Sequence, residues 1–325
     1  MPEGHSVHRI ARQFALHFVG RQVAVSSPQG RFASGAAILD GRVMVDSTAV
    51  GKQLFLEFEG ELWLRVHLGI YGAWDFAGDI TADATLASAN GRMDQTGMRG
   101  ISVAEGALED SLSSIGAPRR ARLRMAEQET AGTVDETFPP EPVGAVRVRL
   151  LTEVTSADLR GPTACAVLGA DEVQAVLDRL GPDPLVDRGR RGEDRFVDRV
   201  RRKPTPIALL LMDQSVVAGI GNVYRAELLF RARLSPFIPG RELPEEMVRT
   251  LWQDWAKLLR RGVQTGQMLT MDGLRGKRLE AALAHRDDRH WVYHRTGKPC
   301  RVCGTPIAMQ ELAVRKLYWC PSCQA

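Results

Sequence analysis

Two Cys-x2-Cys pairs near the end of the chain restrict its fold more than any other part of the sequence. Cys300 and Cys303 form the first pair, Cys320 and Cys323 form the second, and sixteen residues separate the two pairs. Two such pairs on two turns can place four sulfur atoms tetrahedrally around one zinc ion. All four ligands would be thiolates, with no position open to water, so the sequence predicts a single structural Zn²⁺.

The residues between the two pairs are predicted to form a β-hairpin over 306–319, with Arg315 and Lys316 near its tip. Disulfide bonds are the alternative use of these thiols, but a cytoplasmic setting disfavours them. The fifth cysteine, Cys165, lies in an apolar stretch and is predicted to be a core residue.

The composition is that of a globular protein. Of the 325 residues, 44% are hydrophobic and 25% are charged, which excludes a collagen-like or wholly disordered chain. The longest apolar runs, such as 207–212, are far shorter than the ~20 residues of a membrane helix. Residues 1–12 contain a glutamate, two histidines and two arginines, unlike a secretory signal. The sequence therefore predicts a cytoplasmic protein of about two domains with no membrane contact.

Charge is distributed unevenly along the chain. Residues 1–185 contain 17 basic and 24 acidic side chains, whereas residues 186–325 contain 26 and 15. A basic half joined to an acidic half indicates a polyanionic partner for the basic half. The alternative is a basic face that only meets solvent, and charge alone leaves both interpretations open.

The first 80 residues predict a compact, β-rich start. Apolar positions at helical spacing run from Val7 to Phe18, and Gly20 is a suitable stop. Gly60 is typical of a hairpin turn between two strands. The predicted strands are 22–26, 42–48, 53–59, 61–68 and, after a long gap, 146–153. With a short helix predicted at 171–180, these elements indicate an N-terminal domain over residues 1–180.

Residues 78–145 differ in composition from their surroundings. Alanine, glycine, serine and glutamate dominate, and the stretch includes a basic cluster at 119–124 and the pair Pro139-Pro140. We interpret it as an insertion or flexible loop within the N-terminal domain. The basic cluster is either a contact with nucleic acid or a solvated tract, and the composition favours the tract.

After a predicted linker at 181–184 the pattern becomes helical. The predicted helices are 196–201, 205–213, 223–231 and 245–262. The glycine-rich segment 214–222 is typical of a long turn, and Asn222 is a good N-cap whose helix start can hold a phosphate. Such a hairpin is weak evidence alone, but the adjacent cluster Arg199–Lys203 and the cysteine hairpin favour DNA binding. We expect a helical domain over 185–295 and a cysteine module over 296–325.

The start of the chain is its most informative stretch. Pro2-Glu3-Gly4-His5, Gly51-Lys52, the segment 213–227 and the cysteine hairpin follow one another in order. In these four motifs the sequence resembles the bacterial formamidopyrimidine-DNA glycosylase/endonuclease VIII family of bifunctional base-excision glycosylases. The resemblance extends over nearly the whole chain except the 78–145 insertion. It implies an α+β fold: an N-terminal β-sandwich domain with flanking helices, and a C-terminal helical domain with a helix–two-turn–helix and the zinc-bound β-hairpin.

The resemblance also implies a mechanism. With Met1 removed, Pro2 presents a free secondary amine, and α-amines titrate at about 7.7–8.0, so part of them is neutral and nucleophilic. In this family the N-terminal proline attacks the sugar C1′ and displaces the damaged base. The resulting imine permits β- and δ-elimination, which cut the strand. Glu3 matches a catalytic carboxylate that protonates the opening sugar ring or relays protons, and Lys52 matches a lysine bound to the phosphate beside the lesion.

The same resemblance implies four further contacts with DNA. Asn222 and Arg315 match phosphate-binding residues of the helix–two-turn–helix and the zinc hairpin. Ile70 and Tyr71 match side chains that fill the void left by a flipped base. Gly69 stands beside them where a larger polar residue is common, a departure that favours single-stranded or bubble substrates.

The sequence thus predicts a monomeric DNA-repair enzyme, a DNA glycosylase with AP lyase activity on duplex, bubble or single-stranded damaged DNA. His5 after Gly4, and the segment 71–74, resemble the endonuclease VIII branch and favour oxidised pyrimidines as substrates. Two alternatives stay open. One is a purine-directed enzyme acting on 8-oxoguanine or formamidopyrimidines, and the other is a zinc-containing DNA-damage-binding protein without catalysis.

Overall fold

The computed structural model describes residues 2–80, 114–116 and 138–325. Most of the predicted insertion 78–145, including the basic cluster 119–124, lies outside the described residues, as does Met1. The chain divides into two compact units, Met1–Asp178 and Arg179–Ala325, and each has its own apolar core. Within the described ranges, every helix is too short or too polar to cross a membrane.

In its described residues, the first unit combines one sheet with helices. The helices are α1 (Gly4–His17), α2 (Ala33–Leu39) and α3 (Ala170–Asp178). The strands are β1 (Gln22–Ser26), β2 (Arg42–Val50), β3 (Gln53–Phe58), β4 (Leu62–His67), β5 (Ala73–Gly78), β6 (Ser114–Gly116), β7 (Val146–Leu151), β8 (Thr155–Arg160) and β9 (Ala164–Gly169).

The strands are hydrogen-bonded side by side in the order β6–β5–β8–β7–β1–β2–β3–β4–β9, and all neighbours are antiparallel. Only two residue pairs join β1 to β2, Gln22 with Val43 and Val23 with Arg42. This narrow junction divides the sheet into two wings, whose apolar side chains share one core. The predicted β-rich domain with flanking helices is confirmed, and its strands form one continuous sheet.

Helix α1 packs its apolar face into the core of the first unit. Phe14 is fully buried and meets the rings of Trp74 and Phe76 edge-on, at centroid distances of 4.8 and 5.2 Å. The helix begins at Gly4, three residues before the predicted start at Val7. Apolar periodicity could not indicate this first turn, because the residues that form it are polar or glycine.

The second unit consists of helices and one hairpin. The helices are α4 (Arg190–Arg201), α5 (Ile207–Leu210), α6 (Asn222–Arg231), α7 (Glu245–Thr265) and α8 (Gly276–Ala284), and the hairpin strands are β10 (Ala308–Leu312) and β11 (Arg315–Trp319). The long helix α7 supplies Trp252, which stacks on Phe196 at 5.6 Å, and Trp255, which meets Tyr224 at 4.7 Å. These aromatic pairs connect α7 to α4 and α6. Helix α8 was not predicted.

The predicted helix 205–213 is much shorter in the structure. Only Ile207–Leu210 is helical, because Pro206 precedes it and a turn at Asp213 follows it. The Asp213 carboxylate accepts hydrogen bonds from the backbone amide of Ser215 at 2.9 Å and from the Ser215 hydroxyl at 2.6 Å. This local pairing competes with continuation of the helix. The outcome is a short helix, two turns and then α6.

The Gly-Pro-Asp-Pro stretch at 181–184 is buried within the second unit. The Gly181 amide donates to the Gln214 carbonyl at 2.7 Å, and the Ala218 amide donates to the Pro182 carbonyl at 3.1 Å. A Cβ atom at Gly181 would collide with the backbone of Val216. The stretch therefore supports the two-turn segment, and the division between the units falls before it, at Asp178.

Candidate active site and nucleic-acid interface

The start of α1 holds the two residues predicted to carry catalysis. Pro2 and Glu3 are both buried, and Glu3 is 0% exposed. Glu3 has an extended backbone just before the helix, and its carbonyl accepts the Ser6 amide at 3.0 Å. Pro2 therefore lies beyond the positive end of the α1 dipole. A glutamate is rarely enclosed without a specific partner or role, so Glu3 is a candidate for proton transfer beside Pro2.

A buried polar face continues along α1. His5, Arg9, Gln13 and His17 recur every four residues, and each is at most 4% exposed. Burial and the nearby charge of Arg9 lower the pKa of His5 to about 3, so its imidazole is neutral at physiological pH. This face was not predicted, although the four-residue spacing of its polar side chains is visible in the sequence.

Lys52 lies in the tight turn between β2 and β3. Gly51 precedes it with a φ of 60°, a left-handed conformation that favours glycine. The turn places Lys52 beside His67 at the end of β4, because Gln53 pairs with His67 across the sheet. Burial, followed by the positive charges of Lys52 and Arg65, lowers the pKa of His67. This end of the sheet therefore carries positive charge suited to a phosphate.

Ile70 and Tyr71 form the tip of the turn between β4 and β5. The turn is closed by the Gly72 amide, which donates to the Leu68 carbonyl at 3.0 Å. Leu68 is buried, whereas Ile70 is 43% exposed and Tyr71 is 41% exposed. Two large apolar side chains thus project into solvent from a closed turn.

Gly69 does not leave an empty space at this tip. It has a φ of 66°, and a Cβ atom there would overlap the side chain of Thr163 from the turn between β8 and β9. The Thr163 amide donates to the His67 carbonyl at 2.9 Å, which holds the two turns together. The hydroxyl of Thr163 therefore occupies the position where a side chain at residue 69 would begin.

The four cysteines of the second unit converge on one point. Their sulfur atoms all lie within 4.8 Å of one another, with 3.9 Å between Cys300 and Cys323 and 3.4 Å between Cys303 and Cys320. A tetrahedron with zinc–sulfur bonds of 2.3 Å has edges of about 3.8 Å, so the cluster fits one Zn²⁺. Cys300 and Cys320 are buried. Cys165 is separate; it was predicted to be a core residue, and it is half-buried and packs against the core of the first unit.

The hairpin between the cysteine pairs turns sharply. Strands β10 and β11 are joined by Ala313 and Val314, whose φ values of 49° and 60° are those of a two-residue hairpin turn. Arg315 follows directly and begins β11, and Val314 is 87% exposed. The predicted placement of Arg315 near the hairpin tip is confirmed.

Asn222 joins α6 to this hairpin. It is the first residue of the helix, and Gly221 is the N-cap, so the predicted capping role of Asn222 is wrong. The side-chain amide of Asn222 donates to the Lys316 carbonyl at 2.9 Å, and the guanidinium of Arg225 donates to the same carbonyl at 3.1 Å. The structure thereby brings Asn222 next to the residue that follows Arg315. Arg225, which is fully buried, was missed by the sequence analysis because its partner is distant in sequence.

The basic cluster Arg199–Lys203 is used mainly inside the second unit. Arg199 donates to the carbonyls of Leu180 and Ser215, which tie it to the two-turn segment. Ion pairs join the next three basic side chains to acidic groups: Arg201 to Glu245, Arg202 to Asp198 and Lys203 to Asp213. Arg199 is therefore committed to the fold, whereas the ion pairs of Arg201 and Arg202 are exposed and leave these side chains accessible.

Three domains of known protein families together match most of the chain. The N-terminal domain of formamidopyrimidine-DNA glycosylase matches residues 1–106, and the H2TH domain of the same enzyme matches residues 180–272. A zinc finger found in FPG and IleRS matches residues 297–325, the segment that contains the cysteine cluster.

Individual proteins are also similar. Endonuclease 8 1 of Mycobacterium tuberculosis (strain ATCC 25618 / H37Rv) is 37% identical over 324 residues, covering 100% of both chains. Formamidopyrimidine-DNA glycosylase of Thermus thermophilus is 38% identical over 149 residues, 46% of this chain and 55% of that protein.

Solved structures share the fold. The crystal structure of the MutM (Fpg) protein from Thermus thermophilus superposes with a TM-score of 0.65 at 26% identity and covers 99% of this chain and 98% of that one. A Lactococcus lactis FPG mutant in complex with Fapy-dG containing DNA has a TM-score of 0.68 at 18% identity, with 99% of both chains covered. At that lower identity the likeness shows the fold alone.

Proposed function

Because this chain belongs to the formamidopyrimidine-DNA glycosylase and endonuclease 8 family of DNA glycosylases, we propose that it removes oxidised bases from DNA and cuts the strand there. The observation that carries the proposal is the enclosed Glu3 beside Pro2 at the start of α1. A nucleophile and a proton-transfer group at adjacent positions satisfy the first requirement of a glycosylase that works through a covalent intermediate.

In the proposed reaction the amine of Pro2, once Met1 is removed, attacks C1′ of the damaged nucleotide. A nitrogen–carbon bond forms at C1′ while the bond between C1′ and the base breaks. The base leaves with the electron pair of that bond and takes up the proton that the amine nitrogen releases. Glu3 gives a proton to the sugar ring oxygen as the ring opens, and the bond to Pro2 becomes an imine. The imine acidifies the C2′ hydrogen, so the flanking phosphates leave by β- and then δ-elimination.

Phosphate contacts position the substrate in this proposal. Lys52 would hold the phosphate beside the lesion, while Asn222 and Arg315 would bind phosphates in the second unit. The closeness of Asn222 to the hairpin strand that begins at Arg315 supports a shared role for these two residues. Damaged DNA is thus the proposed partner, and its affinity should fall steeply with salt because phosphate contacts release counterions.

Oxidised pyrimidines are the proposed substrates. The relative named Endonuclease 8 1 matches the whole chain, whereas the formamidopyrimidine-DNA glycosylase of Thermus thermophilus matches 46% of it. This difference supports membership of the endonuclease VIII branch. The resemblance to that branch implies a preference for oxidised pyrimidines.

Borohydride trapping tests the proposed function. We expect the protein to form a covalent adduct with an oligonucleotide carrying thymine glycol, and a weaker one with 8-oxoguanine, because borohydride reduces the imine to a stable amine. A Pro2→Gly variant should trap much less, since it replaces the secondary amine by a primary one. Absence of an adduct on both lesions and on a preformed abasic site would leave a DNA-binding protein without catalysis.

Replacing Tyr71 tests the role of the exposed tip. We expect Tyr71→Ala to lower excision from duplex DNA about tenfold, since stacking of one base on an aromatic ring contributes ~1–3 kcal/mol. Excision from a single-stranded oligonucleotide should change little, because without a second strand there is no base-pair stack in which the flipped base could leave a void. Val45→Ala, which shortens another exposed apolar side chain of the same unit (47% exposed), is the matched control. Equal losses on both substrates would contradict the assignment of Tyr71 to the void.

A further inference from the structure

Glu227 in α6 is a buried carboxylate that the proposed reaction does not use. It is 0% exposed, and its two oxygens accept hydrogen bonds from backbone and side chain. One oxygen, Oε1, accepts the amides of Val292 and Tyr293, each at 2.9 Å. The other, Oε2, accepts the amide of Trp291 at 2.8 Å and the hydroxyl of Thr270. Three consecutive backbone amides therefore converge on one side chain.

This arrangement is costly if its only purpose is packing. Burial raises the pKa of Glu227, and the four donors oppose that shift by stabilising the anion. Apolar side chains of similar volume often stabilise a core as well as a buried charge does. What an apolar side chain cannot do is fix the orientation of three backbone amides. The buried carboxylate of Glu227 therefore indicates that these three amides must keep one orientation.

The segment held by Glu227 leads directly into the cysteine module and packs against it. Val292 and Tyr293 share one apolar core with Cys300 and Cys320, and the Tyr293 ring meets Tyr318 of β11 edge-on at 5.2 Å. Fixing the three amides against α6 thus fixes the point at which the chain enters the module.

Helix α6 holds the module at a second place. Asn222 donates to the Lys316 carbonyl, next to Arg315, at 2.9 Å. Asn222 and Glu227 are five residues apart, about 7.5 Å along the helix. The four cysteines fix the interior of the module, whereas these two contacts fix how it is oriented on α6.

We propose that Glu227 is a positioning residue that orients the cysteine module on α6 so that Arg315 binds DNA phosphate beside Asn222. The proposal rests on the DNA binding proposed above. It assigns the orientation of the module to Glu227, and its internal structure to the metal.

Salt dependence of DNA binding is the test. Fluorescence anisotropy with a duplex containing an abasic-site analogue gives Kd over a range of salt. We expect Glu227→Gln to keep one zinc per chain but to weaken binding about tenfold, a loss typical of a charged hydrogen bond. The slope of log Kd against log salt should fall by about one, as expected when one phosphate contact is lost. Arg315→Ala should show the same slope, and the double variant should bind no more weakly than Arg315→Ala alone.

Glu246→Gln is the matched control, because it removes the same charge from an exposed position on α7, and it should leave Kd and slope unchanged. Thr270→Val removes only the hydroxyl donor and should change both in the same direction, less strongly. Loss of zinc from both the Glu227 and Thr270 variants would show that Glu227 only maintains the structure of the module, and it would overturn the positioning role. Losses that add in the double variant, or an unchanged slope, would overturn the proposal while DNA binding by the parent protein stands. If the parent protein does not bind the duplex, the proposed function fails instead.

Discussion

Replacing Glu3 by glutamine is expected to lower base excision by a factor of about 10²–10⁴, the range that proton transfer contributes to enzymatic rates. Glutamine has nearly the same size and can occupy the same enclosed position at the start of α1, where Glu3 is 0% exposed. It cannot give a proton to the sugar ring oxygen. The chemistry is therefore lost while the local packing is kept, and single-turnover release of thymine glycol measures the difference.

The Glu3 variant should separate the two activities of the enzyme. A preformed abasic site has already lost its base and equilibrates with an open aldehyde, so Pro2 can form its imine there without help from Glu3. We expect borohydride trapping on abasic DNA to fall much less than base excision. Glu153→Gln removes the same charge from an exposed position in the same unit and is the control. Unimpaired excision by Glu3→Gln would overturn the role given to Glu3, and equal loss on both substrates would indicate damage to Pro2 itself.

The parts of the fold that follow from local pattern were predictable. Strand β1 has the predicted bounds, 22–26, because two buried valines alternate with exposed positions. The turn at Gly60 lies where a left-handed residue was required, with a φ of 86°. The cysteine spacing predicted a cluster, and the four sulfur atoms converge as a zinc site requires.

Features that depend on distant residues were not predictable from the sequence. Asn222 was a plausible cap by type, yet its side chain bonds Lys316, 94 residues away. Gly69 suggested an empty space where a side chain would begin. Nothing in the neighbouring sequence shows that the hydroxyl of Thr163 occupies that space. The sequence of the cluster Arg199–Lys203 suggested a surface for nucleic acid. It could not show the ion pairs of the cluster, such as Lys203 with Asp213, because these depend on the fold. In each case the residue type was informative, and its partner decided the role.

Replacing Cys320 by serine is expected to release the metal. Cys320 is 0% exposed and belongs to the apolar core of the cysteine module. Serine removes one of four thiolates, and a hydroxyl is a poor zinc ligand at neutral pH. Structural zinc contributes roughly 10–16 kcal/mol of apparent binding energy in small cysteine modules, so a damaged site should not keep the module folded. Metal analysis should show one zinc per chain in the parent protein and close to none in the variant.

DNA binding should fall with the metal, because the hairpin that carries Arg315 loses its support. Cys165→Ser is the matched control: that thiol lies in β9 of the first unit, where burial raises its pKa to about 12 and keeps it an inert thiol. This control should keep one zinc and unchanged affinity. Helices α4 and α7 pack in a core that contains no cysteine, so the far-ultraviolet circular dichroism of the Cys320 variant should retain most of its helical signal. A metal-free Cys320→Ser protein that bound DNA as tightly as the parent would show that the hairpin holds its shape without zinc, and the phosphate contact of Arg315 would then need no metal.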